Sequence, residues 1–162
     1  MAMTVPNEWL TFAGSLTEKM EQFSQQKMQV ALLRQGHQQL SSDELSTLQL
    51  KPRQWGWVRE VELSFQAKPW VLARTVIPQS LMSSVAGRLR LLGDKPLGPV
   101  LFNGLKAQRR VIDFFQVKAL HWSQQRWSQP LWCRRSLFYL DQRALLLKEV
   151  FLPAHPLYQQ QQ

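Results

Sequence analysis

Two charged residues stand where an apolar side chain would be expected, Arg59 and Glu149. Glu149 lies in the run Leu145–Phe151, which reads as a strand stopped by Pro153 and Pro156. Strand side chains alternate between faces, so Leu145, Leu147, Glu149 and Phe151 share one side. Arg59 repeats the pattern, since Trp55, Trp57, Arg59, Val61, Leu63 and Phe65 form the apolar face of an earlier strand. A charge on such a face is costly unless something pairs with it. Two readings are open. Arg59 and Glu149 form a structural ion pair, or they are the two ends of a pocket for a small polar molecule with an apolar body. In the second reading the planar guanidinium of Arg59 suits a carboxylate. Glu149 then suits a hydroxyl, or a proton transfer if burial raises its pKa. Arg74 is a weaker case of the same kind, because its strand is apolar on both faces.

Other chemistries lack their signatures. There is no Gly-rich phosphate loop and no Gly-X-Ser-X-Gly elbow. His37, His121 and His155 have no metal-ligand spacing, so no metal site is expected. The single cysteine, Cys133, falls in a strand-like stretch and reads as a core residue. One cysteine allows no intrachain disulfide, which points to a reducing cytoplasm. No run approaches 18 apolar residues, and Met1–Trp9 lacks the basic start and apolar core of a signal peptide. The net charge of +9, from 20 Lys+Arg against 11 Asp+Glu, favours anionic partners. The basic residues come in scattered pairs, Arg88/Arg90, Arg109/Arg110 and Arg134/Arg135, rather than in the clustered stripe of a nucleic-acid binder. No nucleic-acid partner and no integral membrane segment are expected; the excess reads mainly as a solvated basic surface, which can still draw in a small dicarboxylate.

The elements that must position Arg59 and Glu149 follow from pattern. A helical lead-in spans residues 1–14, and Ser15 with Glu18 forms a capping box for a helix ending near Phe23–Gln26. Lys27–His37 alternates as a strand, and Ser41–Glu44 caps a short helical turn. Trp55–Phe65 and Trp70–Ile77 are strands joined by a turn at Ala67–Pro69, and Pro78 ends the second. Ser80–Leu92 has helical spacing with Gly93 closing it. A Pro/Gly connector, Asp94–Pro99, leads to a short apolar helix at Val100–Asn103. Ala107–His121 is strand-like and Gln124–Gln129 is a polar loop. Leu131–Leu140 and Ala144–Leu152 form a hairpin around Asp141–Arg143. The expected fold is α+β: a mostly antiparallel six-stranded sheet with helices packed on one face. Residues 1–158 make one domain, and 159–162 a disordered polar tail.

Several short motifs, in order and at consistent spacing, resemble the chorismate pyruvate-lyase family. They are Trp57–Glu60, Ala73–Pro78, Lys95–Gly98 with Leu101-Phe102, Arg134–Ser136 and Leu145–Tyr158. The resemblance covers roughly residues 9–158. It implies a cytoplasmic, monomeric, cofactor-independent lyase that converts chorismate to 4-hydroxybenzoate and pyruvate at the head of ubiquinone biosynthesis. It also implies an active site buried under flaps. Carried over position by position, the family's ligand-contacting residues fall on Arg59, Glu149 and Leu97. A fourth, usually Met, falls on Leu16, which keeps an apolar wall. Arg59 would hold a carboxylate or developing negative charge, and Glu149 the hydroxyl end. Leu16 and Leu97 would wall the site. The alternative is a non-catalytic small-molecule-sensing domain of the same fold.

Overall fold

Alternation of apolar residues in six segments produces one sheet. The computed structural model describes residues 8–83, 87–140 and 142–161, with backbone alone at 87, 90, 160 and 161. The strands are β1 (Gln29–Gln39), β2 (Trp55–Phe65), β3 (Lys68–Pro78), β4 (Gln108–Leu120), β5 (Ser123–Leu140) and β6 (Arg143–Phe151). Their order across the sheet is β1-β2-β3-β6-β5-β4, and every neighbouring pair is antiparallel. The last strand in the chain therefore lies in the middle of the sheet. It joins the β1–β3 meander to the β4–β5 hairpin.

Two connections differ from the sequence expectation. The β2–β3 turn is made by Gln66 and Ala67, both at positive φ (50° and 62°), and β3 already begins at Lys68. A two-residue turn of this kind matches strand twist only with its central residues in the left-handed region. The polar stretch Gln124–Gln129 is part of β5 rather than a loop. Within β5 only Cys133–Leu140 pairs with β6, so the first half of β5 has β4 as its single neighbour and is largely exposed. Its polarity reports that exposure.

Most helical segments pack on one face of the sheet. Helices α1 (Glu8–Thr11) and α2 (Leu16–Ser24) contribute Trp9, Leu10, Leu16 and Met20 to the main core, against Trp57, Val61, Leu147 and Phe151. The Ser15 hydroxyl accepts the Glu18 N–H at 3.3 Å and caps α2. The excursion between β3 and β4 lies on the same face, placing Leu81, Leu89, Leu92 and Leu101 in that core. Of the expected 80–92 helix, the described residues include a 3-10 turn at Gln79–Leu81 and a short helix α4 (Gly87–Arg90). Gly93 follows at φ 55°, and a π-helix spans Val100–Gly104. Helix α3 (Ser42–Thr47), held by a full capping box between Ser41 and Glu44, packs on the opposite face. There Leu45 meets Val58, Val76 and Leu146. A 3-10 turn, Pro156–Gln161, follows β6. The lead-in before Glu8, the middle of the 80–92 helix, the turn residue Asp141 and the terminal Gln162 lie outside the described residues.

Candidate active site

A cavity with about 500 Å³ of unfilled space, part of it open to solvent, lies on the main-core face. Val61, Ala73, Thr75 and Leu147 of the sheet line one side. Leu16 and Thr17 of α2, with Pro96, Leu97 and Gly98 of the connector, line another. These two covering segments touch, since a Cβ on Gly98 would come within 2.9 Å of the Ser15 hydroxyl. A side chain at 98 would push the connector away from the helix start. All four residues singled out from sequence, Leu16, Arg59, Leu97 and Glu149, line this one cavity.

Arg59 enters from β2 and is 2% exposed. Its Nη2 donates to the carbonyl oxygens of Gly93 (3.1 Å) and Lys95 (2.9 Å), at the start of the connector. Its Nε is buried and has no partner among the described residues. Burial lowers its pKa. No carboxylate pairs with Arg59 among the described residues, and a buried guanidinium in that state is set to receive one.

Glu149 enters from β6, two strands away. The structure does not pair it with Arg59. Its Oε1 accepts from Arg109 Nη2 and, at 2.8 Å, from Arg134 Nε. Arg134 sits directly opposite Glu149 in the β5–β6 register. Arg109 reaches in from β4, its guanidinium over the Phe138 ring at 5.1 Å, with Nε on the Ser136 hydroxyl at 3.0 Å. Both arginines also bind the N-terminal segment. Arg134 Nη1 donates to the carbonyls of Trp9, Leu10 and Phe12, and Arg109 Nη1 to that of Gly14. Thus the charge cluster around Glu149 also fixes the chain that leads into Leu16.

The raised pKa considered for Glu149 is not what the fold produces. Burial pushes the carboxyl up, but Arg109 and Arg134 outweigh it and hold Glu149 below the ordinary carboxylate range. Glu149 is therefore an ionised acceptor. Burial pulls Arg109 down to about 10, with Glu149 opposing and Arg134 adding to that fall.

Sequence reasoning missed Arg109 and Arg134, which looked like scattered basic pairs. One signal could have found Arg134. The expected hairpin, with Leu140 opposite Arg143, has a register that puts residue 134 opposite 149. Arg109 has no comparable signal, because three register shifts lie between it and the His121–Trp122 turn that joins β4 to β5. Arg74, the weaker candidate, belongs to the other face and to a structural network. It binds Glu44 at 2.7 and 3.0 Å and Glu60 at 3.4 Å, while Lys148 meets Glu44 at 3.0 Å. Cys133 is buried, and burial raises its pKa to about 12. Among the described residues no group of three His, Cys, Asp or Glu side chains could hold a metal ion. No helix among them is long and apolar enough to cross a membrane.

Comparison with known proteins gives these features a context. Residues 1–162 match the family described as Chorismate lyase. A probable chorismate pyruvate-lyase from Marinobacter nauticus is 43% identical over 90% of this chain and 74% of its own length. A chorismate pyruvate-lyase from Hamiltonella defensa is 42% identical over 93% and 79%. Among solved structures, the effector domain of PhnF from Mycobacterium smegmatis superposes with a TM-score of 0.64 at 12% identity, covering 86% of this chain and 89% of that one. The ligand-binding domain of a putative GntR-family transcriptional regulator from Bordetella bronchiseptica does so at 0.60 and 14%, over 80% and 86%. At such identities these two share the fold alone. The six-stranded sheet, the cavity between Arg59 and Glu149, and the match over the full length together place this chain in the chorismate lyase family.

Proposed function

We propose that this protein converts chorismate to 4-hydroxybenzoate and pyruvate in the cavity between Arg59 and Glu149, the reaction that commits chorismate to ubiquinone synthesis, as a cytoplasmic monomer. The observation that carries this reading is the pairing of opposite chemistries across an apolar cavity. A buried guanidinium with an unsatisfied N–H stands on one side and an ionised carboxylate on the other. They sit two strands apart, about 10 Å by strand spacing. A ring bearing a carboxylate at one end and a hydroxyl at the other bridges such a gap with a hydrogen bond at each end. The substrate's ring carboxylate then goes to Arg59 and its C4 hydroxyl to Glu149.

The reaction needs little more than a pose and a charge environment. The C3–O ether bond breaks and its electron pair stays with the departing oxygen. The C4 hydrogen leaves as the C3–C4 double bond forms, which makes the ring aromatic. That hydrogen ends on the enolpyruvyl methylene, giving the methyl group of pyruvate, so no other reactant is consumed. A carboxylate held ionised by two arginines is a poor acid, which favours direct transfer within the substrate over donation from Glu149. Leu16 and Leu97 close the apolar walls and exclude water. The sensing-domain reading is not favoured, because the relatives at 42–43% identity are named lyases whereas the regulators resemble this chain at 12–14%.

The test is pyruvate release from chorismate by the purified protein, with Arg59→Ala and Glu149→Gln checked for folding. The wild type should turn over. Each variant should lose at least about 100-fold in kcat/KM, the scale of removing one preorganised charge partner. A wild type that releases no pyruvate would refute the reading; folded variants with wild-type rates would refute the assignment of the site. With deuterium at C4, the label should appear in the pyruvate methyl group, and complete loss to solvent would exclude direct transfer.

A further inference from the structure

The charges around the cavity do not balance. Among the described residues Arg59, Arg109 and Arg134 face a single carboxylate, Glu149, an excess of two positive charges among the buried side chains there. Arg109 and Arg134 also differ in access. Arg134 is completely buried behind Glu149, whereas Arg109 lines the cavity itself. Each guanidinium carries five N–H donors. Arg109 uses one toward each of Ser136, Gly14 and Glu149, which leaves a second hydrogen on both terminal nitrogens. A buried cation with donors to spare on a cavity wall calls for a further anion.

Resting on the proposed function, the position of that anion follows from substrate geometry. With the ring carboxylate on Arg59 and the C4 hydroxyl on Glu149, the C3 substituent lies beside the hydroxyl, at the Glu149 end. That substituent is the enolpyruvyl ether, which carries the second carboxylate. Arg109 is the cation that both contacts Glu149 and faces the cavity there. We propose that Arg109 binds the enolpyruvyl carboxylate, so that the site selects aromatic-sized dicarboxylates over monocarboxylates and grips substrate by one more charge than the ring product.

The position has a consequence for the reaction. The ether oxygen gains negative charge as the C3–O bond breaks, and it is one carbon away from the carboxylate that Arg109 would hold. Arg109 would thereby fix the side-chain rotation that brings the methylene over the C4 hydrogen. Its contacts with Phe138 and Ser136 hold the guanidinium in place beforehand.

The proposal is tested by binding, which needs no turnover. Two ligands are compared by calorimetry: 4-hydroxybenzoate, and the non-reacting 3-(1-carboxyvinyloxy)-4-hydroxybenzoate, which adds only the side chain with the second carboxylate. The wild type should bind the dicarboxylate more tightly by about 10–100-fold, the scale of one charge-assisted contact. Arg109→Gln should weaken the dicarboxylate more than 4-hydroxybenzoate and so collapse the ratio of the two affinities toward one. A preference that survives in Arg109→Gln, or equal weakening of both ligands, would overturn the proposal and leave Arg109 a positioning residue for Glu149. Should Arg109→Gln fail to fold, the wild type is tested with the methyl ester of the side-chain carboxylate, whose affinity should drop to that of 4-hydroxybenzoate; an ester that binds as tightly as the acid would overturn the proposal. A wild type that shows the preference but releases no pyruvate would sink the proposed reaction and not the dicarboxylate site.

Discussion

His155 shows how a single buried group sets the behaviour of its surroundings. Its ring stands edge-to-face with Trp9, Trp70 and Phe151, and its Nδ1 accepts the Leu157 N–H at 2.9 Å. Burial, helped by Arg134 and opposed by Glu149, lowers its pKa to about 3. An unfolded chain takes up this proton near pH 6.5, while the folded protein refuses it until about pH 3. The stability it contributes is thus complete above pH 6.5 and is lost as pH falls below that. Glu44 acts at lower pH. Burial works to raise its pKa, yet Arg74 and Lys148 hold it at about 2, so its contribution is complete above about 4.5 and fades toward pH 2. Between pH 7 and 5 the unfolding free energy in urea should fall by about 2 kcal/mol, and His155→Gln should remove most of that fall. Equal wild-type stability at the two pH values would contradict this account. At this scale the sequence was most informative where a charge broke an alternation, as at Arg59 and Glu149. It was silent about Arg109 and Arg134, whose strands carry charges on both faces, so that a buried arginine does not stand out.

Local capping and turn chemistry decide how well each element could be read. Ser15 and Ser41 cap α2 and α3 as their sequences suggest, because a capping bond closes within three residues. Gln124–Gln129 was misread because polarity there marks an exposed hairpin arm, and period alone does not tell a solvated strand from a loop. The Gln66–Ala67 turn was displaced because neither residue is one that usually adopts positive φ, and Pro69 looked like the turn residue instead. That turn is consequently strained. A left-handed conformation costs a non-glycine residue roughly 1–2 kcal/mol. Replacing Gln66-Ala67 by Asn-Gly should stabilise the protein by about 1 kcal/mol, raising Tm by roughly 2–4 °C for a chain of this size. An unchanged or lower Tm in thermal unfolding would show that the turn is not under strain.

For the molecule as a whole, the order of the strands was the feature that pattern did not reveal, since two half-sheets can be joined through several edges. The outer strands bear on the proposed monomer. β1 shifts register between Leu32 and Arg34, leaving Leu33 unpaired and exposed, and β4 shifts at three places along its length. Such breaks interrupt the regular row of backbone donors and acceptors that edge-to-edge association needs. Light scattering on the purified protein should give a mass near 19.0 kDa. A stable mass of twice that would reject the monomer. The central place of β6 also bears on biosynthesis. A ribosome delivers β1–β3 first, then β4 and β5, and the strand that must lie between them last. Until β6 emerges, both halves present an open inner edge, and the arginines destined for Glu149 have no carboxylate to meet. The two half-sheets are thus exposed to wrong partners in the nascent chain until β6 docks, and that single step joins the sheet and completes the charge cluster around Glu149.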